Sequence, residues 1–255
     1  MKFSQPCAPA AKTSPVRLIE RVFENGIDPT HSTLSLQRLP LFSNISLPAC
    51  DEIISAGHEK TFLRQQPIFI QGDPANHVLL LVSGSVKSTQ ITSTGSEVIL
   101  RLNGPGELIG AAGFGFKSSN RCAVQAMLFS KAIIWDSAVF AALARRFPVL
   151  QQNVICIMAK QLMELEERYR ELSTVNVARR LSCEIARLAI RVGEPENGGI
   201  KINLSQEELA QMTGTTLFTV SRLLSQWKDK GIVSTGRQFL LVHNSQELAK
   251  LFARD

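Results

Sequence analysis

Two short helical patterns separated by a tight turn lie between Leu204 and Ile232, and they restrict the possible folds more than any other part of the sequence. Ser205 and Glu208 form a capping-box pattern, in which each side chain can satisfy a backbone donor left free at the start of a helix. Gly214 suits the turn that follows, because glycine tolerates positive φ and the close approach of two helices. The stretch therefore predicts a helix-turn-helix.

The second helix of this unit begins after Thr215 or Thr216, either of which can cap it, and it divides into two faces. Its predicted inward residues are apolar and recur at helical spacing: Val220, Leu223, Leu224 and Trp227. In a helix-turn-helix this second helix enters the major groove of DNA. An αα-hairpin inside an ordinary helical domain is the alternative interpretation. The candidate DNA-contacting residues are Ser205, Thr215, Thr216, Leu217, Phe218, Thr219, Ser221, Arg222, Gln226, Lys228 and Arg237.

A β-hairpin pattern follows directly, with β-rich runs from Ile232 to Val242 on either side of a turn that contains Gly236 and Arg237. Helix, turn, helix and hairpin in this order predict a winged helix. Arg222 is the best candidate for a bidentate contact to guanine, which is the commonest specific pairing. Lys228 and Arg237 are candidates for contacts to the DNA backbone.

The charge balance of the chain suits a polyanionic partner. The 255 residues include 28 basic and 22 acidic side chains, for a net charge of +6 and a pI near 9.2. A hydrophobic content of 44% supports one large or two medium domains. The cysteines are scattered and odd in number, which favours a reducing cytoplasm over a disulfide framework or a metal site: Cys7, Cys50, Cys122, Cys156 and Cys183.

No apolar run approaches the ~20 residues that a membrane span requires, so no membrane partner is expected. The N-terminal sequence MKFSQPCAPAAKTSPVR is interrupted too often by polar residues and prolines to form a signal peptide. Its composition predicts a flexible arm over residues 1–33.

Evenly spaced glycines divide the β-rich sequence between Thr61 and Trp135. Gly72, Gly84, Gly95 and Gly106 are 12, 11 and 11 residues apart, which is typical of short strands and turns in a barrel or jelly roll. The simplest interpretation is one small β-roll domain.

A long helix is predicted after Pro148, with a narrow apolar stripe along one side. The stripe has spacings of 3, 4, 3, 4 and 3 residues and consists of Ile155, Met158, Leu162, Leu165, Tyr169 and Leu172. Such a stripe favours contact with a second copy of the helix, and the alternative is packing against the chain's own β domain. A twofold dimer would place two reading helices about one DNA turn, ~34 Å, apart and read a palindrome.

The predicted fold class is α+β. We expect a flexible arm at residues 1–33, a β-roll sensing domain at 34–147, a dimerisation helix at 148–173 and a winged helix-turn-helix domain at 174–255. The stretch Gly193 to Gly199 is expected to form a loop.

This order of elements resembles the catabolite activator protein and FNR (CRP/FNR) family of bacterial transcription regulators over roughly residues 36–242. QGDPANHVLLLVSGSVK from Gln71 is similar to the family's early β-roll turn, GPGELIG from Gly104 to its phosphate-binding cassette, and TTLFTVSRLL from Thr215 to its recognition helix. The resemblance implies a cyclic-nucleotide-binding-type β-roll, a homodimer, double-stranded DNA and RNA polymerase as partners, and allosteric control. It implies an effector site at Gly106, Glu107, Leu108, Ile109, Gly110, Arg121, Cys122, Leu165 and Glu166.

Several positions depart from the cyclic-AMP-binding pattern of this family. Ala111 stands where a glutamate would hold the ribose, and Cys122 replaces the hydroxyl residue beside Arg121. Leu165 and Glu166 replace polar groups that would face the base. Each unmatched polar group on the ligand costs about 1 to 3 kcal/mol, so the resemblance implies an effector other than cyclic AMP.

Other modes of control remain open at this stage. The N-terminal cysteine cluster of an iron–sulfur branch is absent from the sequence, so no such cluster is expected. Nothing in the sequence beyond candidate axial ligands supports haem binding. Those candidates are His31, His58, His77 and His243. Response to cyclic AMP, response to haem or nitric oxide, and effector-independent regulation are the alternatives.

Two other classes of protein fit the sequence less well. A nucleotide-controlled module without DNA function leaves the winged helix unexplained. An enzyme would need paired catalytic carboxylates, a nucleophile triad, a P-loop or zinc-ligand spacing, and none of these patterns emerges. The chain is therefore not expected to be an enzyme.

Overall fold

The computed structural model describes residue 36, residues 38–93, residue 95, residues 97–110 and residues 119–253. The predicted arm at residues 1–33 therefore lies outside the described residues, as do Cys7, His31 and Ala111. Within those ranges the predicted α+β architecture is confirmed: a β-roll, a long helix and a winged helix-turn-helix follow one another along the chain.

Two four-stranded antiparallel sheets build the β-roll. One has the strand order β1-β8-β3-β6 and the other the order β2-β7-β4-β5. The strands are β1 (His58–Phe62), β2 (Pro67–Phe69), β3 (His77–Ser83), β4 (Val86–Ile91), β5 (Glu97–Asn103), β6 (Leu108–Ile109), β7 (Ala123–Ala126) and β8 (Ser130–Asp136). The four evenly spaced glycines all have positive φ, as turns between such strands require.

The central part of strand β3 is apolar because both of its faces are covered. Leu79 and Leu81 pack between the two sheets with Phe62. Val78 and Leu80 face the other way, against the helices that cover the sheet. Alternate residues of a strand point to opposite faces, so a strand that is covered on both sides needs an unbroken apolar run.

The covering helices are α1 (Leu47–Ser55) and α2 (Ser137–Arg146), with a 3₁₀ turn at Pro40–Phe42. The long helix α3 (Pro148–Thr174) begins with a proline, which suits the first turn of a helix because it has no N–H to satisfy. Its buried N-terminal part, Leu150 and Val154, packs into the same cluster.

The C-terminal domain contains α4 (Val177–Val192), α5 (Gln206–Thr213), α6 (Leu217–Asp229) and α7 (Ser245–Ala253). Its sheet has the order β11-β12-β10-β9, built from β9 (Glu194–Glu196), β10 (Gly199–Ile202), β11 (Val233–Thr235) and β12 (Leu240–Val242). The predicted wing hairpin is β11 and β12, which pair in antiparallel register.

The prediction of a loop from Gly193 to Gly199 is wrong, because this stretch forms the hairpin of β9 and β10. Asn197 and Gly198 are its two turn residues and have φ values of 47° and 76°. Asn-Gly at a two-residue turn is the strongest local hairpin signal, since both residues adopt positive φ readily. The signal was present in the sequence but lay between charged and proline residues.

One hydrophobic core extends from the C-terminal domain into the β-roll. Ile99 and Leu102 of β5 belong to the same buried cluster as Leu181, Ile185 and the helix-turn-helix. The two domains of one chain are therefore in apolar contact. None of the helices in the described ranges combines the length and the apolar character needed to cross a membrane.

Candidate DNA interface and its connection to the β-roll

The first helix of the helix-turn-helix, α5, starts with the predicted capping box. The backbone N–H of Ser205 donates to Glu208 Oε2 at 2.8 Å, and the N–H of Glu208 donates to Ser205 Oγ at 3.1 Å. The Ser205 hydroxyl also donates to the same carboxylate at 3.0 Å. Because its oxygen and proton are both used here, Ser205 stabilises the helix start, and this side chain has no free donor for DNA.

The turn between α5 and α6 contains a left-handed glycine and is held by hydrogen bonds from two other helices. Gly214 adopts φ 60° and ψ 46°, the left-handed conformation that favours glycine. Arg180 on α4 donates through Nε to the Thr213 carbonyl at 2.7 Å. Arg168 on α3 donates through Nη2 to the Met212 carbonyl at 3.3 Å. The long helix and α4 thereby fix the angle at which α6 leaves the turn.

The second helix, α6, has the two predicted faces. Its inward side chains are at most 7% exposed: Val220, Leu223, Leu224 and Trp227. The Thr219 N–H donates to Thr216 Oγ1 at 3.2 Å, so Thr216 caps the helix. The outward residues Leu217, Phe218, Ser221, Arg222 and Gln226 are exposed, and Thr219 is half-buried. A rigid apolar base thus presents one continuous face of α6 to solvent.

The remaining candidates for DNA contact lie at the edges of this face. Thr215 is half-buried beside the cap, and Lys228 is exposed toward the end of α6. Arg237 is exposed at the tip of the wing, while the adjacent Gln238 accepts a hydrogen bond from Arg64 of the β-roll. The wing is therefore tied to the sensing domain as well as to its own sheet.

The effector candidates fall into separate environments. Leu108 and Ile109 of β6 are buried in the two β-roll cores, while Gly106 and Gly110 are half-buried at its ends. Arg121 is exposed and Cys122 half-buried after the undescribed segment. Burial raises the pKa of the Cys122 thiol, so it stays protonated at neutral pH. On α3, Leu165 and Glu166 are both exposed.

Glu107 does not present a free carboxylate for a ligand in this conformation. Its Oε1 accepts from Arg101 Nη2 at 2.8 Å and lies 3.1 Å from Arg191 Nε. Its Oε2 accepts from Asn103 Nδ2 and from the Gly104 N–H, each at 3.0 Å. Both carboxylate oxygens of Glu107 are thus engaged within the protein in this conformation, and contact between Glu107 and an effector stays a prediction.

Glu107 belongs to a four-charge cluster that joins three parts of the chain. Arg101 and Glu107 come from the β-roll, Glu164 from α3 and Arg191 from the end of α4. Arg191 Nη2 donates to Glu164 Oε2 at 2.6 Å, and Arg101 Nη2 lies 3.1 Å from the same oxygen. The side chains are only 14% to 28% exposed, so solvent screens them weakly.

A second charge cluster continues the contact between α3 and α4. Arg187 donates through its two terminal nitrogens to the two oxygens of Glu171, both at 2.7 Å, and through Nη2 to Glu184 Oε2 at 2.8 Å. Burial lowers the pKa of Arg187, but the hydrogen bond and charges of Glu171 and Glu184 outweigh it and raise that pKa overall. Arg168 adds a contact to Glu184 at 3.7 Å.

The two clusters show what sequence reasoning missed. Glu164 and Arg168 look like solvent-facing flanks of a coiled coil, yet with Glu171 they form one face of α3 that binds Glu184, Arg187 and Arg191. In the sequence, the three charged residues on α3 are 4 and 3 positions apart, and those on α4 are 3 and 4 positions apart. Only the antiparallel packing of the two helices turns these spacings into matched ion pairs.

The predicted apolar stripe of α3 lies outside every described core. Its six residues are between 40% and 72% exposed: Ile155, Met158, Leu162, Leu165, Tyr169 and Leu172. The alternative, that this stripe packs against the chain's own β domain, is not what the structure shows. A row of exposed apolar side chains of this length marks an interaction surface.

The histidines in the described ranges lie apart from one another. His77 Nε2 is 3.4 Å from Asp136 Oδ1, and His243 Nε2 is 2.7 Å from the Ser234 hydroxyl. His58 is exposed on β1. Across the part of the chain that the structure describes, no three histidine, cysteine or acidic side chains converge in a way that could hold a metal ion.

Two family models match this chain in the order in which the domains occur. The cyclic nucleotide-binding domain model matches residues 59–147, and the Crp-like helix-turn-helix domain model matches residues 158–251. The chain belongs to the CRP/FNR family of transcription regulators. It is a DNA-binding regulator with a cyclic-nucleotide-binding-type domain and not an enzyme.

Individual members of the CRP/FNR family align over most of this chain. The CRP-like cAMP-activated global transcriptional regulator of Mycobacterium tuberculosis is 22% identical over 217 residues, which are 84% of this chain and 97% of that protein. The cyclic AMP receptor protein of Thermus thermophilus is 28% identical over 197 residues, 77% of this chain and 89% of that protein. The structure of FixK2 from Bradyrhizobium japonicum shares the fold, with a TM-score of 0.66, 24% identity, and coverage of 78% of this chain and 98% of that one.

Proposed function

We propose that this CRP/FNR-family protein acts as a homodimer that reads an inverted repeat in double-stranded DNA. The observation that carries the proposal is the position of the exposed stripe on α3. It lies on a helix whose other contacts hold the angle of the DNA-reading unit, through Arg168 and the Met212 carbonyl. A partner that covers the stripe would set two reading helices in a fixed twofold arrangement, and each would meet one half of a palindrome.

Within each half-site we assign the reading of bases to the exposed face of α6. Arg222 has the length and the planar donor pair for guanine O6 and N7. Thr216, Thr219, Ser221 and Gln226 are placed to reach bases or phosphates. Lys228 and Arg237 flank this face and carry positive charge toward the DNA backbone. In this division of roles we assign sensing to residues 34–147, dimerisation to residues 148–173 and DNA binding to residues 174–255.

We assign the coupling between the β-roll and the DNA-binding domain to the cluster of Arg101, Glu107, Glu164 and Arg191. Glu107 sits at the entry of the cassette and Arg191 on the helix that supports the turn of the helix-turn-helix. A change in the cassette would move the Glu107 carboxylate and therefore alter its ion pair with Arg191 on α4. In this arrangement a ligand shifts the population of DNA-binding orientations only through its different affinity for them.

The effector that we favour is not cyclic AMP. Ala111 and Cys122 lack the carboxylate and hydroxyl of the ribose and phosphate sites, and Glu107 is engaged by two arginines. Cyclic AMP remains the second candidate, because two relatives named above are a cAMP-activated regulator and a cyclic AMP receptor protein. Effector-independent binding and a haem or nitric oxide response are further outcomes that the binding experiment separates.

Regulation of transcription also implies contact with RNA polymerase and a location in the compartment that holds the DNA, which is the cytoplasm of a bacterium. Both follow from the proposed role and not from a separate structural feature.

In vitro selection from a random duplex library tests the proposal. It is followed by a binding assay with and without cyclic AMP and with a haem-loaded sample before and after addition of nitric oxide. We expect enrichment of an inverted repeat whose affinity is unchanged by cyclic AMP. Arg222→Ala should fail to enrich the same sequence. An enriched sequence without inverted symmetry, or enrichment of the same sequence by Arg222→Ala, would contradict the proposed reading of an inverted repeat by α6.

A further inference from the structure

Two large apolar side chains stand at the groove-facing start of α6. Phe218 is 77% exposed and Leu217 is 51% exposed, although the opposite side of the same helix is buried. The cap between Thr216 and the Thr219 N–H holds this first turn in place. Exposed aromatic and aliphatic groups at a binding surface indicate that the bound partner covers them.

Phe218 shares its part of the helix surface with Arg222. Residues three and four positions apart on a helix are surface neighbours, so Phe218 lies beside both Ser221 and Arg222. The reading face therefore combines an apolar tip with one guanidinium one turn later. A protein that binds only the DNA backbone has no use for an exposed phenyl ring here, because phosphates are contacted by charged and polar groups.

The chemistry of the major groove restricts what an apolar tip can recognise. Leucine and phenylalanine have no side-chain donor or acceptor, so they cannot distinguish the polar edges of guanine, adenine or cytosine by hydrogen bonding. The C5-methyl group of thymine is the apolar group that the major groove offers, and apolar side chains contact it. Burial of the ring against this methyl group removes both from water and is favourable.

We infer that Phe218, supported by Leu217, is a specificity-determining residue that reads the methyl group of a thymine next to the base contacted by Arg222. The inference rests on the proposed DNA-reading function and adds to it the identity of one base and the atom that is recognised.

The test uses the duplex enriched by the full-length wild-type protein and replaces each thymine of the half-site in turn by uracil, which removes the methyl group alone. Replacement of the thymine that Phe218 contacts should lower wild-type affinity about fourfold in one half-site, which corresponds to the burial of one methyl-sized carbon group. Replacement in both half-sites should lower it about 15-fold. Phe218→Ala should bind the thymine and uracil duplexes equally and should match wild type on uracil.

Phe129→Ala is the matched control, because Phe129 is also an exposed phenylalanine, at 60%, but lies on the β-roll. It should retain the full preference for thymine over uracil. Two results would overturn the inference while leaving DNA reading intact. In the first, no replacement of thymine by uracil lowers the affinity of the wild-type protein. In the second, Phe218→Ala loses affinity equally for the thymine and uracil duplexes. Equal affinity of the wild-type protein for the enriched duplex and for random duplexes would instead refute the proposed function together with this inference.

Discussion

Arg191 on α4 donates a hydrogen bond of 2.6 Å to the carboxylate of Glu164 on α3. The same guanidinium reaches Glu107, so one side chain holds the DNA-binding domain to both the long helix and the β-roll. Arg191→Gln would leave two carboxylates with Arg101 as their remaining cationic partner in the cluster. We expect the thermal unfolding midpoint to fall by an amount equivalent to about 1 to 3 kcal/mol, between the values for exposed and fully buried ion pairs.

Hydrogen exchange gives this prediction a local measurement. The Gly104 N–H donates to Glu107, so its exchange and that of neighbouring amides should become faster in Arg191→Gln. Arg145→Gln on the exposed side of α2 is the control and should change neither the midpoint nor the exchange. Unchanged protection at Gly104 in the Arg191 variant would show that the cluster does not hold the two domains together.

The bidentate pair of Arg187 and Glu171 should matter more for stability than an exposed pair on the same helix. Arg187→Met leaves Glu171 and Glu184, both about 95% buried or more, without their main cation. Loss of one partner from a buried pair costs about 3 to 5 kcal/mol. Arg170→Met removes an exposed pair with Glu167 and should have little effect, because water screens that pair. Equal midpoints for the two variants in thermal unfolding would contradict this ranking.

The stripe on α3 makes a specific prediction about assembly. Leu162→Glu places a charge in the proposed seam, and twofold symmetry would bring two such charges together. We expect the dimer dissociation constant in sedimentation velocity to rise at least about 30-fold, equivalent to about 2 kcal/mol. Met163→Glu is the matched control: Met163 is 65% exposed against 56% for Leu162, but it lies outside the stripe. Identical dissociation constants for the two variants would argue against the seam.

Different DNA contacts should respond differently to salt. Arg222→Ala should lose about 1 to 3 kcal/mol of binding per half-site of the enriched sequence, with little change in the dependence of affinity on salt concentration. Lys228→Ala should weaken binding to all sequences and reduce the salt slope by about one per half-site, which is about two for the dimer. Fluorescence anisotropy across a salt series measures both quantities. An equal loss on random DNA in the Arg222 variant would assign that residue to a phosphate.

The fold was largely predictable because its main elements have local signals. The capping box at Ser205, the glycine between the two helices and the apolar periodicity of α6 each depend on residues close together in sequence. The hairpin turn at Asn197 had such a signal too. The C-terminal helix α7 also had one, since the Glu247 N–H donates to the Asn244 side chain at 2.9 Å in an N-cap arrangement.

The connection between the domains was not predictable in the same way. The neighbours of Glu107 resemble a phosphate cassette and predict a ligand contact, but they do not indicate its ion pair with Arg191, which is 84 residues away in the sequence. A charge spacing on a helix does not show whether the partner is water, DNA or another helix. Such pairings depend on the tertiary packing of α3, α4 and β5.

The spacing of the two half-sites tests the central claim of a symmetric dimeric reader most directly. Starting from the enriched inverted repeat, insertion of five base pairs at its centre rotates one half-site by about half a turn, since B-DNA has about 10 to 10.5 base pairs per turn. A rigid dimer can then engage one half-site only, so we expect affinity to fall to that of a duplex with a single half-site. Equal affinity for the original and the expanded repeat would contradict the dimeric account.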